Sequence, residues 1–424
     1  MSEPEVLIAG AGIGGLTLAL SLHQVGVSCR IYEAVPDIKP LGVGINLQPH
    51  AVREFDELGL LDELDAMAIR TREVAYLSSQ GKLIWAEPRG LNAGYRWPQF
   101  SVHRGRLQMM LLDQVKARLG PLAVQCNTSV VSWCDTATGV SVALEDTTTG
   151  ASVGEAHGKV FVAADGIHST IRAQHYPDEG PPQWGGTVMW RGVTEAPAFL
   201  SGATMAMSGC KARKFVCYPI EEREDGRCLI NWIADLSFPQ DYLWNREDWN
   251  RPGRLEDFYP RFQDWHFDWL DIPSIIQDAE GVYEYPMVDR DPVPQWTFGR
   301  MTLLGDSAHA MYPIGSNGAS QAILDARVLT AAFMQHGIDA PALQAYDDER
   351  RPAASAIVLA NRGDGPDKIL DTVEERAPDG FGDIEQVMSR DELESIALRY
   401  KKLAGMDVDT LNSRPSLVTV KARG

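Results

Sequence analysis

Three turns, each following a short apolar strand, hold residues whose types and spacing suit an extended anionic ligand. The first lies in Val6-Leu-Ile-Ala-Gly-Ala-Gly-Ile-Gly-Gly15, where G-x-G-x-x-G falls on Gly10, Gly12 and Gly15 ahead of the helix-like run Leu16 to Leu22. Gly10 permits the tight turn, Gly12 lets the backbone approach a pyrophosphate, and Gly15 lets the helix pack on the strand. The helix start then offers free N–H groups to phosphate oxygens. Glu33 closes a second apolar strand at the separation expected of a carboxylate that binds a nucleotide ribose. The second turn is Asp165-Gly166 and the third is Gly305-Asp306. A carboxylate at Asp306 can accept a hydrogen bond from a sugar-alcohol hydroxyl or cap a helix, and the two roles are compatible. Tyr312 to Ser320 then starts a helix with glycine and asparagine, whose unpaired N–H groups suit a ring carrying negative charge; a plain glycine-rich loop is the alternative. Ligands of open α/β sheets lie at the carboxyl ends of strands, so the three turns are expected to meet on one dinucleotide.

The elements that must position these turns are legible as patterns. His50 to Leu58 reads as a helix with Val52, Phe55 and Leu58 on one face, and Val74 to Glu87 as a hairpin turning near Gly81. A helix opening in Ser101–Gln108 runs to Leu119, with Leu107, Met110, Leu111 and Val115 as its core stripe. Strands follow at Val130–Trp133 and Gly139–Leu144, then a polar turn from Glu145 to Gly158 and the apolar run Lys159 to Ala164. In the middle, Thr187–Val193, Phe215–Ile220, Cys228–Ala234 and Val282–Pro286 are divided by turns without intervening helices, the mark of a largely antiparallel sheet set into a dinucleotide domain. A tryptophan-rich helical insert carries Trp244, Trp249, Trp265 and Trp269; the last two, four residues apart, read as core packing along one helix. Arg300 to Asp306 returns as a buried strand, Gly318 to Met334 as a helix, and the acidic tail after Arg362 holds one helix, Arg390 to Leu403. The expected class is α/β.

Composition narrows the function. A chain of 424 residues, 44% hydrophobic and 23% charged, can bury two or three domains' worth of core. Its net charge of −19 argues against nucleic acid as a partner. The apolar run Val6 to Leu22 contains four glycines and follows Glu3 and Glu5 rather than basic residues, so it is not read as a signal peptide. No run is long and apolar enough to cross a bilayer, and no membrane partner is expected. The six cysteines (29, 126, 134, 210, 217, 228) are scattered without metal-ligand spacing, as in a cytoplasmic protein with reduced thiols and no metal.

Taken in order, Gly10-x-Gly-x-x-Gly15 with Glu33, Ala164-Asp-Gly166 with Arg172, and Leu304-Gly-Asp-Ser-Ala-His309 followed by Met311-Tyr-Pro313 resemble the single-component (group A) FAD-dependent aromatic hydroxylases of the para-hydroxybenzoate hydroxylase type. Within that family, Pro40-Leu-Gly-Val-Gly-Ile-Asn46, Val188-Met-Trp-Arg-Gly-Val-Thr194, Tyr285-Pro-Met-Val-Asp-Arg-Asp-Pro292 and Gly318-Ala-Ser-Gln-Ala-Ile-Leu-Asp325 are most similar to the phenazine hydroxylases of pyocyanin biosynthesis. Gly315-Ser-Asn-Gly318, where many members read Gly-Gln-Gly, is a mark of that subgroup. The likeness fades after about Arg362.

The resemblance implies a Rossmann-like FAD-binding domain (1–73, 99–180 and 287–362), an inserted, largely antiparallel substrate-binding domain (74–98 and 181–286) and a C-terminal helical tail (363–424). It implies FAD held by Gly10, Gly12, Ile13, Gly14 and Gly15 at the pyrophosphate and by Glu33 at the adenosine ribose. Ala34, Val43 and Gly44 are further contacts, and Arg104 reaches the phosphate or ribityl region. Asp165 would support the cofactor, and Gly305 and Asp306 the ribityl chain. Pro313, Gly315, Ser316, Asn317, Gly318 and Ala319 would lie along the isoalloxazine. The implied reaction uses NAD(P)H and O2, with a flavin C4a-hydroperoxide passing OH to a small aromatic or N-heteroaromatic substrate. Decarboxylating hydroxylation, or reductase or oxidase chemistry without oxygen transfer, is the alternative.

A dry aromatic wall is then required, and its candidates are Trp190, Arg191, Tyr218, Trp232, Tyr285 and Pro313, with Pro313, Tyr218 and Arg191 nearest the chemistry and plain core packing the alternative for each strand aromatic. Arg191 suits either a substrate carboxylate or an acidic residue of the interface. The run Lys211-Ala-Arg-Lys214 suits NAD(P)H phosphates or a solvated loop. No second glycine fingerprint is present, so NAD(P)H is expected to bind transiently. His309 is expected to make a structural hydrogen bond, and the assembly to be a monomer or homodimer.

Overall fold

The computed structural model describes residues 3–239, 241–243, 251–363 and 365–419, so Trp244 and Trp249 lie outside the described residues. Val6–Ala9 is central to a six-stranded sheet, flanked in parallel by Cys29–Tyr32 on one side and Val160–Ala163 on the other, with Met301–Leu303 parallel beyond the latter. Every residue of Val6–Ala9 and Val160–Ala163 is buried, which is why these strands read as continuous apolar runs rather than as alternations. The helices Ile13–Gln24, Arg104–Leu119 and Gly318–His336 share the core of this sheet. In the second of them Leu107, Leu111 and Val115 are buried while Met110 is only half-buried.

The stretch read as a polar turn, 145–158, is instead the third strand of a meander, Ser152–Gly158 beside Val140–Asp146 and Thr128–Asp135. It is an exposed edge strand, and with neither face buried its sequence carries no alternation.

The second large sheet has seven strands, in the order Val282–Asp289, Gln183–Pro197, Arg227–Ser237, Arg213–Glu222, Thr204–Cys210, Glu73–Leu77, Leu83–Pro88. All neighbours are antiparallel except Thr204–Cys210 and Glu73–Leu77. One face packs on the insert: Trp190, Phe215 and Trp232 meet Phe258, Phe262, Trp265 and Ile272. Trp265 and Trp269 are not on one helix. Trp265 precedes the short hairpin His266–Phe267 and Leu270–Asp271 and is buried, while Trp269 sits in its turn with the indole donating to Gly81 O at 3.1 Å. Their spacing mimics a helical one because a tight hairpin also returns side chains to one side.

The opposite face carries Val74, Tyr76, Met205, Met207, Val216 and Tyr218, packed with Ile369, Leu370, Val373, Met388 and Leu393 of the tail. The tail is therefore part of the core. Its helices Lys368–Arg376, Arg390–Leu403 and Val408–Ser413 return across the molecule, where Tyr95 bonds Met406 O, Arg53 bonds Leu411 O at 3.2 Å, and Arg414 bonds the buried Glu54 at 2.5 Å.

Candidate active site

Because Met301–Leu303, Val160–Ala163 and Val6–Ala9 are successive neighbours, the turns that follow them open side by side. They border one cavity of about 390 Å³, lined here by Gly12, Ile13, Gly14, Ala164, Gly166, Gly305 and Asp306. The three fingerprint glycines differ in what surrounds them. A Cβ on Gly10 would lie 2.3 Å from Ala164 O, and one on Gly15 would lie 2.1 Å from Gly10 O. One on Gly12 would meet nothing within 4 Å. Gly10 and Gly15 thus let strand, loop and helix touch, while Gly12 keeps the loop open towards the cavity.

Glu33 does not line the cavity. Its carboxylate accepts from Ala11 N–H at 2.6 Å and from Val35 N–H at 2.9 Å, so it shapes the glycine loop from beside it, with Ala34 next to it. Asp165 also stands behind the lining formed by Ala164 and Gly166. One of its oxygens accepts from Thr170 N–H at 3.1 Å, the other is buried without a hydrogen-bond partner among the described residues, and burial pushes its carboxyl up from the usual range. Val43 is buried behind Gly44, and Arg104 reaches the lining.

Asp306 is exposed to the cavity and has no hydrogen-bond partner among the described residues. The turn beneath it is held rigidly. Asp325 accepts from Gly305 N–H at 3.1 Å, lies 2.5 Å from His309 Nε2 and accepts from Arg350 Nε at 2.8 Å. Burial alone would push the Asp325 carboxyl up; His309 and Arg350 reverse this and hold it at about 2. Arg172 adds bonds to Ser307 O at 3.1 Å and Ala308 O at 2.8 Å. His309 is thus bonded to a buried partner.

Pro313 and Gly315 to Ala319 line the next part of the cavity and lead into the helix Gly318–His336. Ser316 takes φ 51°, a conformation uncommon outside glycine. Asn317 is buried, with its amide nitrogen unpartnered among the described residues.

The near face of the seven-stranded sheet closes the cavity, and Gly44 is where it joins the sheet. Gly44 N–H donates to Asn231 Oδ1 at 2.7 Å, and its carbonyl accepts from Tyr218 at 2.9 Å and from Arg191 at 3.0 Å. Burial pushes the Tyr218 phenol up to about 12 against the pull of Arg191, so Tyr218 is a fixed proton donor to that carbonyl. Tyr285 is not among the residues that line the cavity; it packs with Met189, Met287 and Tyr312, and the Arg191 guanidinium stands 5.5 Å from its ring centre. Trp190 and Trp232 do not belong to this wall. They are buried on the opposite face, stacked on Phe258, and the Trp232 indole donates to Thr194 at 2.9 Å.

Strand alternation explains both outcomes: Arg191 and Tyr218 face the cavity, and residues one step away in register face the other way. The same parity identifies wall residues that composition concealed. Val216 and Lys214 share the face of Tyr218, Ile233 and Asp235 that of Asn231, and Met205 pairs with Val74 as Met207 does with Tyr76. Lys214 is accordingly no solvated loop residue. It is buried, with ion pairs of 3.3 Å to Asp235 and 2.5 Å to Asp367. Glu87 receives Arg89 and Lys401, the latter at 2.7 Å from the tail.

An open glycine turn, a free carboxylate at Asp306, and the unpartnered Asn317 amide beside a helix start form a continuous set that fits FAD. Such a set would hold the pyrophosphate at the glycine loop, the ribityl chain at Asp306, and the ring against Pro313 to Ala319. Comparison with known proteins agrees. Residues 3–241 and 266–361 match the FAD-binding-domain family. Phenazine 1,6-dicarboxylic acid hydroxylase PhzS of Lysobacter antibioticus is 44% identical over 85% of this chain and 90% of its own. The 6-hydroxynicotinate 3-monooxygenase of Bordetella bronchiseptica is 27% identical over 84% and 90%. Among solved structures, Klebsiella pneumoniae HpxO with FAD and uric acid superposes with a TM-score of 0.73 at 24% identity, covering 97% of each chain. The chain therefore belongs to the FAD-binding-domain family and is an FAD-dependent aromatic hydroxylase.

Proposed function

We propose that this hydroxylase acts on a flat N-heteroaromatic molecule of the phenazine kind, drawn in over the near face of the seven-stranded sheet. The supporting observation is that one cavity runs from the glycine loop at Gly12, past Pro313, to the apolar floor of Val74, Met205, Met207, Val216 and Ile233. The similarity to a phenazine dicarboxylate hydroxylase favours that ring system over a single-ring phenol.

Bound FAD supplies the redox chemistry, taking electrons from NAD(P)H and activating O2. The chain supplies placement. Gly12 to Gly14 and Asp306 hold the cofactor. Gly44, clamped by Asn231, Tyr218 and Arg191, fixes the floor against the ring. Methionine and aliphatic side chains exclude water, which would otherwise divert reducing equivalents to H2O2.

Purified protein reconstituted with FAD should oxidise NAD(P)H faster when phenazine-1-carboxylate or phenazine-1,6-dicarboxylate is added, with hydroxylated product appearing in step. Failure to retain FAD, or indifference of NAD(P)H oxidation to both compounds, would overturn the reading.

A further inference from the structure

The far end of the chamber contains charged groups that flavin binding does not use. Lys214 and Asp235 are cross-strand partners on Arg213–Glu222 and Arg227–Ser237, and Asp367 descends on them from the tail. All three are buried and all three line the cavity. Lys214 Nζ bonds one oxygen of each acid, Asp235 Oδ2 at 3.3 Å and Asp367 Oδ2 at 2.5 Å. The other oxygen of each, Asp235 Oδ1 and Asp367 Oδ1, is buried with no hydrogen-bond partner among the described residues. Two unpaired carboxylate oxygens at one place are costly, because a buried acceptor that lost water has gained nothing in return. The apolar floor that adjoins them, Ile233, Val216 and Met207, offers no donor. Arg191, on the strand beyond Asp235, gives one nitrogen to Gly44 O and stacks on Tyr285; its Nε is buried without a hydrogen-bond partner among the described residues and makes no hydrogen bond to either acid.

We propose that Asp235 and Asp367 form a specificity subsite for a hydrogen-bond donor, an amino, ring N–H or hydroxyl group, on the substrate edge remote from Gly44. Lys214 is the positioning residue that holds the two carboxylates with one oxygen each turned from it. The subsite rests on the hydroxylase reading for its reaction but not for its geometry, and it favours a ring that bears such a donor over the bare phenazine carboxylates, which have none. Asp367 lies in the tail, beyond residue 361 where the family match ends. Burial leaves the Asp235 carboxyl above its usual range although Lys214 pulls it down.

The test uses FAD-loaded protein and two neutral probes that differ at one substituent, 6-aminoquinoline and 6-methoxyquinoline, with binding read from the perturbation of flavin absorbance. The amino compound should bind about tenfold or more tightly than the methoxy compound, the usual worth of a bond to a charged acceptor. In Asp235→Asn and Asp367→Asn, Lys214 keeps the amide oxygen and the –NH2 takes the place of the orphan oxygen, so the preference should vanish or invert. Retained flavin reports that each variant has folded, and Asp367→Asn, at the margin of the sheet, serves should Asp235→Asn not fold. Equal affinity for the probes, binding of neither, or the original preference kept in both variants would overturn the subsite. Absence of bound FAD in the unaltered protein would instead sink the hydroxylase reading.

Discussion

Gly44 and Asn231, 187 residues apart in sequence, are joined by a 2.7 Å hydrogen bond from the Gly44 amide to the Asn231 side-chain oxygen. The bond fastens the seven-stranded sheet to the strand Gly44–Leu47 beside the glycine loop. The contact is steric as well as polar. A Cβ at position 44 would lie 2.7 Å from Asn231 Cβ and 2.8 Å from Tyr218 Cε2.

Gly44→Ala should accordingly push Asn231 and Tyr218 off their bonds and destabilise the fold by about 1–3 kcal/mol, the range for overpacking. The check is a denaturant titration of the apoprotein together with the dissociation constant for FAD, and both should worsen. Unchanged stability would show that the sheet yields without strain.

Asp306→Ala should leave the apoprotein's melting temperature unaltered, because the carboxylate has no partner among the described residues to lose. FAD retention should fall about tenfold or more, as expected for loss of a charge-assisted bond to a ribityl hydroxyl. Equal flavin content would remove Asp306 from the cofactor site.

Asp325 gives a pH signature. Its folded value of about 2 is depressed below the value it takes when unfolded, so the unfolded chain binds its proton first on acidification. The stability it contributes is present above about pH 4 and is lost as the pH falls towards 2. Unfolding free energies for the native chain and Asp325→Asn should therefore converge over that interval. A gap that stays constant down to pH 2 would deny the charge pairing with His309 and Arg350.

Sheet parity makes an opposed pair of predictions. Trp232→Ala should cost about 3–5 kcal/mol of stability, as for a large buried side chain, because Trp232 is fully buried away from the cavity. Met207→Ala, at a residue that lines the cavity, should change the KM for the aromatic substrate more than Trp232→Ala does. Measured thermal shifts and substrate KM values with the ranking reversed would place the wrong face over the flavin.

The tail makes a further one. Lys401→Ala removes a 2.7 Å ion pair to Glu87 in the cavity wall and should raise the share of NAD(P)H equivalents that emerge as H2O2. Peroxide yield equal to that of the native chain would show that the tail does not seal the chamber.

The glycine turn and the turns at Asp165 and Asp306 were legible because each closes a strand buried on both faces, whose apolar run stands out from its surroundings. Arg390–Leu403 was legible too, since an amphipathic helix writes its period into the sequence. Trp190 and Trp232 were misplaced for an equally physical reason. In a sheet covered on both faces both parities are apolar, and only the register says which one meets the cavity. Lys214 read as part of a basic run because its partners Asp235 and Asp367 are far from it along the chain.

The sequence by itself determined the dinucleotide-binding scaffold, because that depends on local requirements, apolar strands and glycines where backbones touch, and the FAD assignment came with the family resemblance that its motifs carry. Tertiary structure alone decided which sheet face becomes the chamber, how Gly44 is clamped, and that the tail closes the wall with Asp367 and Lys401. Those features are contacts between residues remote in sequence, and no local pattern encodes a partner that only chain folding brings near.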